Sequence, residues 1–275
     1  MAKDLSGKVA IITGGAGGLG KALGEEMAAR GCYLVLADIN RDLLEATAAA
    51  LRASGAQVDA RTVDVRDAAA VQALVDDAFR ELGRIDYLFN NAAVNLCAEL
   101  RDTTLEDWNL LIDVNFRGVI HGVHAAYPIM REQGFGHIVN VASAAGLIPA
   151  AAEGAYAATK HAVVGLSSSL RIEAESFGVN VSVVCPGLID TPILDSTKYV
   201  NFDTDAITSV SPEKPMEPRK AARLILRDVD RNRFFIVLSA TAQVLWRVHR
   251  YAPAASIWLG KLGVRRFRGI RTDAR

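Results

Sequence analysis

Tyr156 and Lys160 stand four residues apart in a stretch of helical pattern, which places both on one face. A tyrosine acts as a base only after losing a proton it normally holds to a pKa of ~10. A neighbouring ammonium favours the phenolate, so a Tyr-x-x-x-Lys pair is a candidate for proton transfer. Such pairs also arise by chance on exposed helices, and this one gains weight from its surroundings. Ser143 lies 13 residues before Tyr156 and ends an apolar run of strand character. A hydroxyl there could hold a substrate oxygen while charge develops on it.

A second cluster, Thr13-Gly14-Gly15-Ala16-Gly17-Gly18-Leu19-Gly20, directly follows a β-branched run and opens a helical pattern. Glycine there lets the backbone approach a pyrophosphate, and the helix start offers free N–H groups and a positive dipole end. Asp38 ends the next strand-like run, roughly 20 residues beyond the glycines. An acid at that place can bond the 2′-hydroxyl of an adenosine ribose and repels a 2′-phosphate. No Arg or Lys interrupts the glycines, and Arg41 is the nearest base downstream, so NAD is favoured over NADP. The structural alternative is an acid that only caps the following helix.

These residues need a frame. Strand-like runs at 8–13, 33–37, 57–63, 86–89, 137–142 and 180–185 alternate with helical stretches at 41–53, 67–82, 103–133 and 155–177. That rhythm predicts βαβ units in a single doubly wound, Rossmann-type parallel sheet with helices on both faces. The helix at 103–133 is expected to bend near Asn115 and Gly118. A polar segment, 188–218, carries Pro192, Pro212, Pro215 and Pro218 and reads as a substrate-binding loop. A helix at 219–228 and a strand at 234–238 follow. One dinucleotide-binding and catalytic domain is expected over 1–240, with a basic, aromatic helical extension at 241–275.

The bulk composition narrows the class. With 275 residues, 51% hydrophobic, the chain can bury a full core. Its net charge is zero, with eight Lys/Arg gathered in 246–275, so a nucleic-acid-binding body is not expected. Cys32, Cys97 and Cys185 are scattered without CxxC spacing, which reads as a reduced, cytoplasmic protein with neither a disulfide framework nor a metal site. The first residues lack a signal-peptide pattern, and no apolar run reaches the ~18 residues that span a bilayer.

With these pieces in order, the chain resembles the short-chain dehydrogenase/reductase family. The matching motifs are Thr13-Gly14-x3-Gly18-x-Gly20, Asp64, Asn90-Asn91-Ala92, Asn115, Ser143, Tyr156-x3-Lys160 and Pro186-Gly187-x3-Thr191. The resemblance implies Tyr156 as acid/base, Lys160 as the group that lowers its pKa and bonds the nicotinamide ribose, and Ser143 as the holder of the substrate oxygen. It implies that Asn115 bends its helix and holds a water that links Lys160 to solvent. It places Asp64 at the adenine and Thr191 at the carboxamide or a nearby phosphate. Leu19, Val65, Asn91, Ala92, Pro186, Gly187 and Ile189 complete the implied dinucleotide contacts. Asn90 and Asn91 are also expected to tie neighbouring strands through their side chains. One departure stands out: where the family usually has Asn-Asn-Ala-Gly, this chain ends the motif in Ala93.

The function these observations imply is NAD-dependent interconversion of a secondary alcohol and a ketone. Within the family the rival is an NADPH-dependent ketoreductase of the 3-oxoacyl-carrier-protein type, which Asp38 speaks against. A non-catalytic dinucleotide sensor is the rival of another class, and the complete Asn115-Ser143-Tyr156-Lys160 set speaks against that. Val94, Leu147, Ile148, Pro149, Leu188, Ile193 and Leu194 are placed to wall the site, which favours a lipophilic substrate such as a steroid or long-chain alcohol. Family analogy implies a homodimer or homotetramer. The tail mixes Trp246, Tyr251, Trp258, Leu259, Leu262 and Phe267 with arginines, and Pro253 divides it into two helices. Its apolar stripe could lie in a membrane interface, on the protein's own core or on a partner subunit.

Overall fold

The computed structural model describes residues 3–204, 206–207 and 214–273. The part of the expected loop that includes Pro212 lies outside the described residues, as do 274 and 275.

Seven strands form one parallel sheet: β1 (Val9–Thr13), β2 (Tyr33–Asp38), β3 (Val58–Thr62), β4 (Tyr87–Asn90), β6 (Gly136–Val141), β7 (Val179–Cys185) and β9 (Phe235–Val237). Their order is β3-β2-β1-β4-β6-β7-β9. The order reverses between β1 and β4, and ligands of such sheets bind beyond the carboxyl ends of the strands at that point. Two short strands that the sequence did not announce, β5 (Leu96–Cys97) and β8 (Lys198–Tyr199), pair in parallel as a separate sheet.

The strands alternate their side chains between two apolar layers. Ala10 and Ile12 face α1 (Gly18–Ala28), α2 (Arg41–Ala53) and α8 (Pro218–Asp230), whereas Val9 and Ile11 face α3 (Ala68–Leu82), α5 (Gly118–Gln133) and α6 (Gly154–Ala174). Period-two burial on both faces is what a central parallel sheet requires. Local signals start and stop the helices. Asp67 caps α3 by accepting from Ala69 and Ala70 N–H, and Gly83, with a positive φ of 73°, ends it. Thr104 and Asp107 form a capping box at α4 (Leu105–Ile112). The expected long helix is broken as anticipated near Asn115: a π-turn, Asp113–Arg117, separates α4 from α5. A short helix, α7 (Ile193–Ser196), sits within the polar loop, and α9 (Ala240–Tyr251) and α10 (Pro253–Arg268) close the chain on either side of Pro253.

Asn90 and Asn140, at matched positions of β4 and β6, join through Asn90 Nδ2 donating to Asn140 Oδ1 at 2.8 Å. This is the strand tie expected of Asn90. His137 is buried at the start of β6, with Nε2 2.8 Å from Ser182 Oγ. The Ser182 hydroxyl proton goes to the Arg233 carbonyl, so His137 donates from Nε2 as a neutral ring. Burial lowers its pKa from 6.5 to about 3. Between these values the unfolded chain binds a proton that the folded chain refuses, so stability rises with pH across that window, by at most ~1.4 kcal/mol per pH unit for this group. His137→Gln should therefore flatten the pH dependence of stability between pH 6.5 and 4 in urea titrations. An unchanged slope would show that the ring protonates freely in the folded state.

Candidate active site

The carboxyl ends of β1, β4, β6 and β7 bring the predicted residues together. Thr13 ends β1, and its Oγ1 accepts from the N–H groups of Asn91 (3.0 Å) and Ala92 (3.1 Å). The Asn91 amide donates to the carbonyls of Thr13 (2.9 Å) and Gly14 (3.2 Å). Asn91 thus locks the loop after β4 onto the glycine turn, as its expected tying role requires. The turn has no room for side chains. A Cβ on Gly20 would lie 2.1 Å from the Gly14 carbonyl oxygen, and Gly14 and Gly18 have φ of 65° and 52°. The side chain of Thr191, from the loop after β7, closes on the other side, 3.1 Å from where a Gly18 Cβ would stand. A backbone cradle bounded by a helix start, with nothing projecting into it, fits a pyrophosphate. Leu19 turns its side chain into the core, so only its backbone borders the cradle.

Asp38 is positioned by this turn. Its carboxylate accepts from Ala16 N–H at 3.1 Å and Asn40 N–H at 3.0 Å. The cap of α2 is Asn40, which accepts from Leu43 N–H, so Asp38 is free of the capping role. Asp64 differs from its expectation in one respect. Arg66 grips its carboxylate through Nε and Nη2, at 2.9 and 2.6 Å to Oδ2, and this ion pair holds the carboxyl below its usual range. An adenine there meets a carboxylate already engaged. Val65 is buried beside Gly118, and its carbonyl is 2.8 Å from His121 Nδ1.

Tyr156 and Lys160 lie in the first two turns of α6. The Lys160 ammonium is 1% exposed, donates to the Val141 carbonyl at 3.0 Å and stands 5.5 Å from the centre of the Tyr156 ring. Burial lowers its pKa to about 8. Ser143 caps a short turn, Ala144–Gly146, by accepting from Ala145 N–H at 3.1 Å, and its hydroxyl also reaches the Tyr156 phenol. It is therefore both the strand-end cap and a neighbour of the candidate acid/base. Asn115 is fully buried in the π-turn. Its amide accepts from Val94 N–H (2.8 Å) and donates to the Val94 carbonyl (2.9 Å) and Thr159 Oγ1 (3.4 Å). Its side chain serves the loop at Val94 and the residue beside Lys160.

The Tyr156 phenol is held above its usual range: burial dominates, the Glu153 carboxylate adds to it, and the Ser143 hydrogen bond pulls the other way. One expectation is corrected: Leu147 and Ile148, read as walls of the site, pack instead with Val119, Val163 and Val183 in a core cluster. Val94, Trp108 and Val200 pack, as Tyr156 does, against a buried cluster of Leu96, Ala98, Leu111 and Ala155. Leu188, with Gly187 and Ile189, borders a cavity beside Lys214 and Met216.

Sequence reasoning passed over Glu153 and Asn95. Asn95 Nδ2 donates to Glu153 Oε1 at 3.3 Å, one turn from Tyr156, and burial raises the Glu153 pKa. Its spacing of three before Tyr156 was the available signal. Also unforeseen is a strap that ties the C-terminal segment to the body. Phe202 pairs with Arg271 as an antiparallel bridge, Phe267 packs edge-on against Phe202 at 5.7 Å, and Arg271 bonds Asp102 at 2.8 Å.

The comparisons agree with this geometry. The family model for short chain dehydrogenase matches residues 8–199. The chain belongs to the short-chain dehydrogenase family. Levodione reductase of Leifsonia aquatica is 36% identical over 218 residues, 78% of this chain and 77% of that one. The 1-deoxy-11-beta-hydroxypentalenate dehydrogenase of Streptomyces exfoliatus is 35% identical over 246 residues, 88% and 87% of the two chains. A short-chain dehydrogenase/reductase of Burkholderia phymatum, solved in complex with NAD, superposes with a TM-score of 0.85 at 33% identity, covering 92% of this chain and 96% of that one. This short-chain dehydrogenase is accordingly an oxidoreductase that acts on CH–OH groups and binds a nicotinamide dinucleotide. No helix among the described residues is long and apolar enough to cross a membrane.

The strap generates a test. Arg271→Ala should free the segment at 201–203 and speed trypsin cleavage at Lys198 about fivefold, the equivalent of ~1 kcal/mol for a partly screened ion pair. Cleavage at the wild-type rate would show that the segment is held by other contacts.

Proposed function

We propose that this dehydrogenase interconverts a secondary alcohol and a ketone with NAD. The arrangement of Ser143, Tyr156 and Lys160 beside the glycine cradle carries this reading. Tyr156 moves the proton of the substrate oxygen, and the Ser143 hydroxyl holds that oxygen during the change in its charge. Lys160 keeps two ammonium protons beyond the one bonded to Val141, available for the nicotinamide ribose and for a developing phenolate. Asn115 is a positioning residue that fixes the Val94 loop against Thr159. The cofactor, when bound, accepts or supplies the hydride.

Asp38 supports NAD, since its carboxylate is aimed by the glycine turn and disfavours a 2′-phosphate. The NAD complex of the Burkholderia relative supports the same choice. Gly14, Gly18, Gly20, Asn91, Ala92, Pro186, Gly187, Ile189 and Thr191 frame the rest of the dinucleotide groove, with Asp64 and Val65 at the adenine end. The apolar group of Val94, Trp108 and Val200 supports a lipophilic substrate, with Asn95 and Glu153 as its polar point. The outer faces of α5 and α6 expose Ile120 and Ile172 among small residues such as Ala158 and Gly165, which suits a homodimer or homotetramer built on these helices.

The raised Tyr156 pKa sets the direction of the pH dependence. Reduction needs the protonated phenol, and oxidation needs it ionised. Oxidative kcat/KM should climb as pH rises through the alkaline range, while reductive kcat/KM falls. Opposite trends would remove Tyr156 from the proton path. Tyr156→Phe should lower kcat by about 10²–10⁴-fold, with the affinity for NADH unchanged in a fluorescence titration. Wild-type turnover in this variant would sink the assignment, and tighter binding of NADPH than NADH would overturn the reading of Asp38.

A further inference from the structure

The two last helices do not present the surface that a soluble helix ordinarily shows. On α10 few residues reach inward: Ser256 is buried and lies 3.2 Å from His249 Nδ1, a Cβ on Gly263 would stand 3.4 Å from Ala151, and Phe267 packs on Phe202. The outward positions, at helical spacing, hold Ile257 (52% exposed), Trp258 (61%) and Leu262 (38%). At the hairpin's turn Tyr251 is 80% exposed. An amphipathic helix on a water-facing surface turns such residues inward, so this apolar face calls for a cover. The aromatic residues of the tail therefore do not form one stripe. Trp246 packs on Phe235 at 4.8 Å and Phe267 on Phe202, whereas Tyr251 and Trp258 face out.

The charge on this face is one-sided. Arg247, Arg250, Lys261, Arg265 and Arg266 are exposed on or beside it, and none makes an ion pair among the described residues. Arg268 and Arg271 behave differently, being taken up by Glu99 and Asp102 on the body. No Asp or Glu occurs between Arg231 and Thr272. A cover for this face must bury indole and aliphatic groups and also present dense negative charge. A phospholipid surface does both, because long basic side chains lay their stems along the apolar layer and keep their heads at the phosphates. A second copy is a poorer fit, since an identical face would bring the same exposed basic residues against one another.

We propose that the α9–α10 hairpin is a peripheral docking surface for bilayers rich in anionic phospholipid, with Ile257, Trp258 and Leu262 entering the interface and the five unpaired basic residues at the headgroups. The inference is independent of the cofactor and substrate assigned above. The test is co-sedimentation of the full chain with vesicles of phosphatidylcholine alone or mixed with phosphatidylglycerol, at low and high salt. The wild type should sediment with the mixed vesicles only, and less so as salt rises. Ile257→Ser with Trp258→Ser should abolish sedimentation. Lys261→Gln with Arg265→Gln should weaken it at least about tenfold. Both variants should retain the NADH affinity of the wild type, which shows that they fold. A wild type that stays in the supernatant with anionic vesicles at low salt overturns the proposal. So does equal sedimentation of wild type and variants, or a loss of oligomeric mass by light scattering in Ile257→Ser with Trp258→Ser, which would make the face a contact between copies.

Discussion

The ammonium of Lys160 sits almost wholly out of water, and much of the site is arranged around that fact. A buried charge must find fixed partners or give up its proton. Lys160 meets the first demand through the Val141 carbonyl at the end of β6 and relieves the second by a pKa of about 8. Reaching that carbonyl requires α6 to lie tight against the chain leaving β6. Gly146 permits it: a Cβ there would come within 2.7 Å of the Lys160 carbonyl oxygen. Ser143 shapes the turn that carries Gly146, and Asn115 grips Thr159 from the other side. The residues named as catalytic are thus also the residues that make a buried lysine tolerable.

The nucleotide side rests on a different constraint, that of close backbone approach. Gly14 and Gly20 are in contact where no side chain fits, and Asn91 bonds the carbonyl of Gly14. Because Thr13 anchors Asn91 and Ala92 in turn, the cradle and the loop after β4 move as one body. Ala93, which departs from the family's usual glycine, follows this anchored pair directly and does not disturb it.

What could be read in the sequence follows from which forces are local. Strands β1, β2, β4, β6 and β7 are runs of buried residues that lead to candidate site residues at or just past their ends, so their positions and the residues Thr13, Asp38, Asn90 and Ser143 were legible. The break near Asn115 was legible as well, because the motif marked it. Contacts made by tertiary approach were not. β5 and β8 have two residues each, too few to show a period, and they exist only because the loops at 96 and 198 meet. Leu147 looks like a site wall in sequence and packs instead in a core cluster. The pKa of Tyr156 depends on Glu153 and on burial, and neither is visible in a Tyr-x-x-x-Lys spacing. The tail's aromatic residues read as one stripe, yet alternate ones were already claimed by Phe235 and Phe202.

The strap at Phe202 and Arg271 has a consequence for how such a molecule can change over generations. Its contacts fall on Glu99, Asp102 and the segment at 201–203, none of which touches Lys160 or the glycine cradle. Substitutions around the strap can therefore loosen or tighten it while leaving the contacts of Lys160 and of the glycine cradle as they are. The strap and those contacts are inherited on separate stretches of chain, and drift in one need not be matched by repair in the other.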